Sequence, residues 1–258
     1  MGIGLDAVTA LSPAGDTRAG EVLRLRREIS RMQRRRSDLP LLPLDPALTA
    51  ILPDDGLQAG TAYTVSSSPS LVLALLSAAS QKGLWCAVIG MPTLGVEAAA
   101  AFGIDLSRLI LVPDPGERWL AVTSALSEVV PLIAVHPGSR MRDTDVSRLN
   151  ARLRDRGCTL LVTATWPQSE GTIRVHDPHW HGLGTGWGLL SDCTVTVTAQ
   201  TRHTPVPSSV RVRLPGSRGA IEPVAAELTA LPSLTDAPSL PDETAAFPVE
   251  ISLWAVAG

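Results

Sequence analysis

The sequence predicts an α/β fold: a mostly parallel sheet with helices on both faces, extended on one side by antiparallel strands. Three observations carry that expectation. Between 61 and 163 five short apolar runs alternate with helical ones, the pattern of right-handed β-α-β units. Beyond Thr165 the helical pattern stops and period-two alternation takes over. The 258 residues are 45% hydrophobic and only 3% aromatic, with 21 Gly and 21 Pro, so Leu, Val, Ala and Ile must build the core between many punctuated turns.

Residues 1–17 are small, polar and interrupted by Pro and Gly, and read as a flexible arm. Residues 18–40 read as a basic amphipathic helix and linker. Eight arginines face two glutamates between Arg18 and Arg36, and Val22, Leu25, Ile29 and Met32 recur at helical three-and-four spacing. So narrow a stripe suits docking on one neighbouring surface, a partner protein or another copy of the chain. The competing reading is a solvated arginine face on a helix packed against its own domain.

The core is expected over 41–214. Asp45 followed by Pro46 is a helix-start signal for a short helix ending at Pro53, and Gly56 and Gly60 frame a turn. Strands follow at Thr61–Val65, Leu84–Ile89, Arg108–Val112, Pro131–Val135 and Cys158–Thr163. The helices between them are Ser70–Gln81, Gly95–Phe102, Glu117–Ser127 and Thr144–Arg156. Gly171–Val175, Cys193–Gln200 and Ser209–Leu214 alternate as strands, with Thr201–Pro207 as a hairpin connection. Residues 215–258 read as a Pro-rich acidic tail closing on an apolar segment, Val249–Val256, in which Ile251, Leu253 and Trp254 are the candidate contacts.

A formal net charge of −3 gives no overall field toward a phosphate backbone, so any nucleic-acid contact must be local. Cys86, Cys158 and Cys193 are widely spaced with apolar neighbours, as expected of buried, reduced thiols. No apolar run approaches the ~18 residues of a membrane span. The expected setting is the cytoplasm.

The first β-α turn of a parallel sheet is where a phosphate cradle would sit. Here it is Ser66-Ser67-Ser68-Pro69-Ser70, with no glycine between Gly60 and Gly83. The chain's single lysine, Lys82, lies at the far end of the following helix, about 18 Å from its start at 1.5 Å per residue. Strand Pro131–Val135 runs into His136-Pro137-Gly138, with no carboxylate to hold a metal. A phosphate loop needs a pliant glycine backbone, a lysine and a metal-binding acid, so this one is degenerate. No catalytic residue, cofactor or metal is expected, and Ser68 or Ser70 is read as a helix cap.

Leu44-Asp45, Ile51-Leu52, Gly56-Leu57 and Gly60, then strand Thr61–Val65 and a helix ending in Lys82-Gly83, resemble the entry to the core of RecA-type recombinases. Phe102-Gly103-Ile104-Asp105-Leu106-Ser107-Arg108-Leu109 is similar to that family's linker between its second helix and third strand. The resemblance spans about 18–214 and implies a RecA-like fold with a leading helix that docks on a neighbour. The segments at the family's two DNA-binding loops, after Val135 and after Thr165, are short here. A RecA-like core without a phosphate loop, an arginine-rich leading helix and a Pro-rich tail look most like the actinobacterial ImuA-type accessory proteins of the DNA-damage-induced mutasome. That resemblance implies a non-catalytic partner of an inactive Y-family polymerase homologue of the ImuB type and, through it, of an error-prone replicative-type polymerase. An alternative is a cell-division inhibitor resembling the SulA type, which also has a RecA-like fold without nucleotide machinery; a residual ATP-binding paralogue is a third.

Two further constellations stand out in the sequence. His176-Asp177-Pro178-His179-Trp180-His181 places His179 and His181 on one strand face, but two nitrogens fall short of a zinc set and Pro178 interrupts the geometry, so a polar surface loop is expected. Gly182–Gly188 supplies glycines without a following helix and reads as a flexible turn. Weak single-stranded DNA binding stays open through Arg140, Arg142 and Arg174, with Trp119, Trp166, Trp180 and Trp187 as stacking candidates; isolated half-buried tryptophans are the plainer reading.

Overall fold

A computed structural model describes residues 40–139, 142–184 and 188–224. The expected docking residues Val22, Leu25, Ile29 and Met32, the terminal Ile251, Leu253 and Trp254, and Arg140 and Trp187 lie outside the described residues.

The chain enters through a small antiparallel pair, β1 (Leu41–Pro43) and β2 (Gly56–Gln58). Between them the expected helix shortens to a 3₁₀ turn, Thr49–Ile51; Asp45 accepts the Ala47 N–H at 2.9 Å, the bond expected of an N-cap, and Pro53 follows the turn. Leu48, Ile51, Leu52 and Leu57 are buried, so this segment is a plug of the core and more than the turn that Gly56 and Gly60 suggested.

The central elements follow as β3 (Ala62–Val65), α1 (Pro69–Gln81), β4 (Cys86–Ile89), α2 (Val96–Ala101), β5 (Leu109–Val112), α3 (Trp119–Leu126), β6 (Leu132–Val135), α4 (Asp143–Arg156) and β7 (Thr159–Val162). Then come β8 (Gly171–Trp180), β9 (Cys193–Thr201), β10 (Thr204–Arg213) and β11 (Glu222–Pro223). One nine-stranded sheet runs in the order β11-β10-β9-β8-β3-β7-β6-β4-β5. From β8 to β5 every pairing is parallel, and from β8 to β11 every pairing is antiparallel.

Strand alternation splits the core into two layers. Cys86 and Val88 of β4, Leu132 and Ala134 of β6 and Leu161 of β7 pack with α1. Their neighbours Ala87, Ile89, Ile133, Val135, Leu160 and Val162 pack with Trp119 of α3 and Val146, Leu149 and Leu153 of α4. A strand covered on both faces has no reason to alternate polar with apolar, which is why these runs read as continuous hydrophobics. α1 is equally enclosed: Leu71, Val72, Leu75 and Leu76 are fully buried, each contributing about 1.5–3 kcal/mol of transfer free energy. α4 is instead two-sided, with Asp143 and Asp145 in its first turn and Arg154 and Arg156 in its last, matching the helix dipole. It ends at Gly157 in the left-handed region, φ 68°.

Three differences from the sequence reading are instructive. The histidine string is not a loop: β8 runs on through Trp180, pairing His176 with Thr196 and His179 with Thr194 around a bulge. Pro178 is accommodated because the ladder is already interrupted between His176 and His179. The hairpin that follows β9 is tighter than expected, Arg202-His203, so β10 starts at Thr204. Residues 215–224, read as the start of the tail, continue the core: β11 pairs with β10, and Ile221 is buried. No helix among the described residues is long and apolar enough to cross a membrane.

Candidate functional site

In an open parallel sheet the carboxyl ends of the strands form the natural crevice, because the following helices begin there and their amides point inward. A cleft of about 320 Å³ occupies that place. β3 contributes Ser67 and Ser68, β4 Gly90, Met91 and Thr93, β6 His136 and β7 Thr163, with Pro69 and Val72 of α1 behind them. Four strands that are distant in sequence thus converge on one cavity.

The serines of the first turn are mostly turned to structural work. Ser66 Oγ accepts the Val175 N–H at 3.0 Å, tying the turn to β8. The Ser68 N–H donates to the Ser66 carbonyl at 2.7 Å, and Ser68 Oγ accepts the Leu71 N–H at 3.4 Å as the N-cap of α1. Between the two cap candidates the structure selects Ser68, with Pro69 at the first helical position and Ser70 inside the helix. Ser67 alone is exposed toward the cleft.

Opposite the serines, His136 Nδ1 lies 2.9 Å from Thr163 Oγ1, and that hydroxyl also reaches the Val135 carbonyl at 3.4 Å. The threonine is buried, so the pair seals the floor between β6 and β7. Gly90 adopts φ 74°, and a Cβ there would press into the His136 carbonyl oxygen. Its amide bonds to Val112 at 2.9 Å, and the His136 amide bonds to Ile89 at 2.9 Å. The described lining carries no Lys, Arg, Asp or Glu. Lys82 caps the other end of α1. Such a lining can donate and accept a few neutral hydrogen bonds; it offers no cation for a terminal phosphate and no carboxylate for a metal.

The remaining candidates are dispersed. Arg142 precedes α4 and is exposed, while Arg174 is exposed on β8 in a separate groove of about 310 Å³ with His176, Thr198 and Gln200. Of the stacking candidates, Trp119 and Trp166 are 2% and 3% exposed, their indole N–H groups donating to Ser139 Oγ and Asn150 Oδ1, so neither is available to a base. Trp180 is half-exposed. His179 and His181 meet edge to face at 5.1 Å, and His181 Nε2 bonds Thr194 Oγ1 at 2.9 Å. Among the described residues no group of three or more His, Cys, Asp or Glu is gathered to hold a metal ion. Cys86 and Cys158 are buried with thiols pushed up to about 12 by desolvation, far from nucleophilic reach.

The cleft residues Gly90, Met91, Thr93, His136 and Thr163 escaped the sequence reading as a set. Each is the first or second residue after a parallel strand, or close to it, and that shared position is the signal that would have gathered them.

Comparison with known proteins agrees with this architecture. The crystal structure of the RadB recombinase matches with a TM-score of 0.53 over 70% of this chain and 97% of the other, at 15% identity, which establishes the RecA-like fold. Residues 50–168 match the family model described as the MT3502 N-terminal domain. The uncharacterized protein Rv3395c of Mycobacterium tuberculosis is 32% identical over 163 residues, 61% of this chain and 73% of that protein. On that identity and coverage, the chain belongs to the family of the mycobacterial protein Rv3395c.

Proposed function

We propose that this protein is a non-catalytic accessory scaffold of DNA-damage-induced translesion synthesis, of the ImuA type. Its partner is an ImuB-type inactive Y-family polymerase homologue, and through that partner it supports an error-prone replicative-type polymerase. The single observation that carries the reading is the cleft. It keeps the position and strand framework of a RecA-like nucleotide site, yet its first turn spends Ser66 and Ser68 on backbone groups, and His136 and Thr163 stand where a metal-binding acid would be needed. A framework kept without that chemistry supports a role in assembly. The contacts then fall to the segments outside the sheet: Val22, Leu25, Ile29 and Met32 as a helix-in-groove stripe with arginines setting register and on-rate, and Ile251, Leu253 and Trp254 as an apolar strand or wedge.

The test is co-purification of the full chain with the inactive polymerase homologue, repeated after deleting 18–36, 249–256 or both. Capture by the full chain and its loss in the double deletion is the expected result. Capture that survives the double deletion removes the contact assignment. Overproduction that blocks septation with no change in induced mutagenesis would replace the reading with a SulA-type division inhibitor.

A further inference from the structure

The antiparallel part of the sheet has two unlike faces. Toward the core, Ile173, Val195, Val197, Ala199 and Val212 are buried. On the other face the strand register lines up polar side chains in rows: Arg174 of β8, Thr198 of β9 and Ser209 of β10, then His176, Thr196 and Arg211. Arg174, His176, Ser209 and Arg211 are exposed, and the groove containing Arg174 is open to solvent.

The charge on this face is unbalanced. Of the nearby carboxylates, Asp192 is taken by Arg213 at 3.1 Å and Glu170 faces His203 at 3.7 Å. Asp177, at the bulge, stands 4.0 Å from His176 Nε2. Among the described residues neither Arg174 nor Arg211 has an ion-pair partner. In a chain whose net charge is −3, two unpaired guanidiniums on one hydroxyl-rich face form a local anion-attracting surface. With strands about 4.8 Å apart and residues about 3.4 Å apart along them, the two arginine positions are separated by about 12 Å. That leaves room for a sugar and base between two bound phosphates.

We propose that this face binds the backbone of single-stranded nucleic acid, Arg174 and Arg211 each holding a phosphate while the hydroxyls of Thr196 and Ser209 donate between them; the Thr198 hydroxyl is engaged with His176 Nε2 at 3.1 Å. A flat sheet face presents no helix to enter a duplex groove, whereas a single strand can track along it. The inference stands on this face alone and does not depend on the polymerase partner.

Fluorescence anisotropy of the full chain with a labelled oligothymidylate of about 20 nucleotides, at several salt concentrations, tests it. Binding at low salt is expected. The R174A/R211A double variant should weaken it at least about tenfold and reduce the slope of log affinity against log salt by about 1.4, or 0.7 per lost phosphate contact. R148A/R154A, which removes two exposed arginines of α4, should bind as the parent does. Circular dichroism melts establish that the variants are folded, and R174Q/R211Q replaces any that melts early. No binding by the parent, equal binding by R174A/R211A, or displacement by polyglutamate as effective as by unlabelled oligonucleotide overturns the proposal, the last pointing to an acidic peptide. The pulldown above reads a different surface, so each proposal can fail while the other survives.

Discussion

His136 Nδ1 and Thr163 Oγ1, 2.9 Å apart, join the carboxyl ends of two neighbouring parallel strands at the bottom of the cleft. The residues are 27 positions apart in sequence, and only the pairing of β6 with β7 brings them together. Because the threonine is buried, its hydroxyl must find a partner or be stranded without water. Thr163→Val keeps the shape and removes the hydroxyl, leaving the imidazole nitrogen to the cleft. The expected cost is about 1 kcal/mol, or a drop in Tm of about 2–4 °C for a domain of this size, read by calorimetry.

The cleft mouth depends on Gly90 more sharply. Its positive φ disfavours any side chain, and the His136 carbonyl blocks the space a Cβ would need. Since that carbonyl is backbone, in a residue whose amide is tied to the Ile89 carbonyl at 2.9 Å, it cannot swing away cheaply. Gly90→Ala should destabilise the fold by more than about 2 kcal/mol in urea unfolding, whereas Ala at Gly116, also at positive φ but with nothing near its Cβ, should cost less.

Ser68 and Ser67 should separate cleanly. Ser68→Ala removes the cap of α1 and should lower stability by about 1 kcal/mol, while Ser67→Ala, which touches no backbone donor, should be neutral within about 0.5 kcal/mol. With no charged side chain in the described cleft lining, millimolar ATP with magnesium is expected to leave the melting temperature of the parent unchanged. A nucleotide-dependent upward shift that S67A abolishes would revive the residual-nucleotide reading.

Alkaline pH offers a further check through the buried thiols. Cys86 and Cys158 have pKa values raised from 9.0 to about 12 by desolvation, so between those limits the unfolded chain releases protons that the folded chain retains. Fewer protons bound in the unfolded state means that stability falls as pH rises, by about 1.4 kcal/mol per pH unit for each thiol above pH 9. The free energy of unfolding should therefore decline more steeply from pH 9 to 11 in the parent than in a C86A/C158A variant, whatever the absolute stability of that variant. Parallel slopes would show that the thiols are not desolvated as the fold places them.

The β-α alternation was legible because its cause is local. Runs such as Cys86–Ile89 and Leu132–Val135 are apolar at every position, helices such as Asp143–Arg156 carry a two-sided pattern, and Ser68-Pro69 announces a helix start. The degeneracy of the phosphate loop was equally plain, since the absence of glycine from Ser66–Ser70 and the position of Lys82 are facts of order along the chain. The histidine string was misread as a loop because its bulge is stabilised by partners on β9, Thr196 and Thr194, that no local pattern announces.

What the sequence determined by itself was therefore the order of the central strands and helices and a first β-α turn without glycine or lysine. Tertiary structure decided which strand ends meet, and with them the His136–Thr163 floor and the close approach of Gly90 to His136. It also decided that Trp119 and Trp166 are buried while Arg174 and Arg211 share an open face. The physical reason is range: helix and strand patterns repeat within a few residues, whereas neighbours in a sheet ordered β8-β3-β7-β6-β4-β5 are set by burial of whole elements across more than a hundred positions of chain.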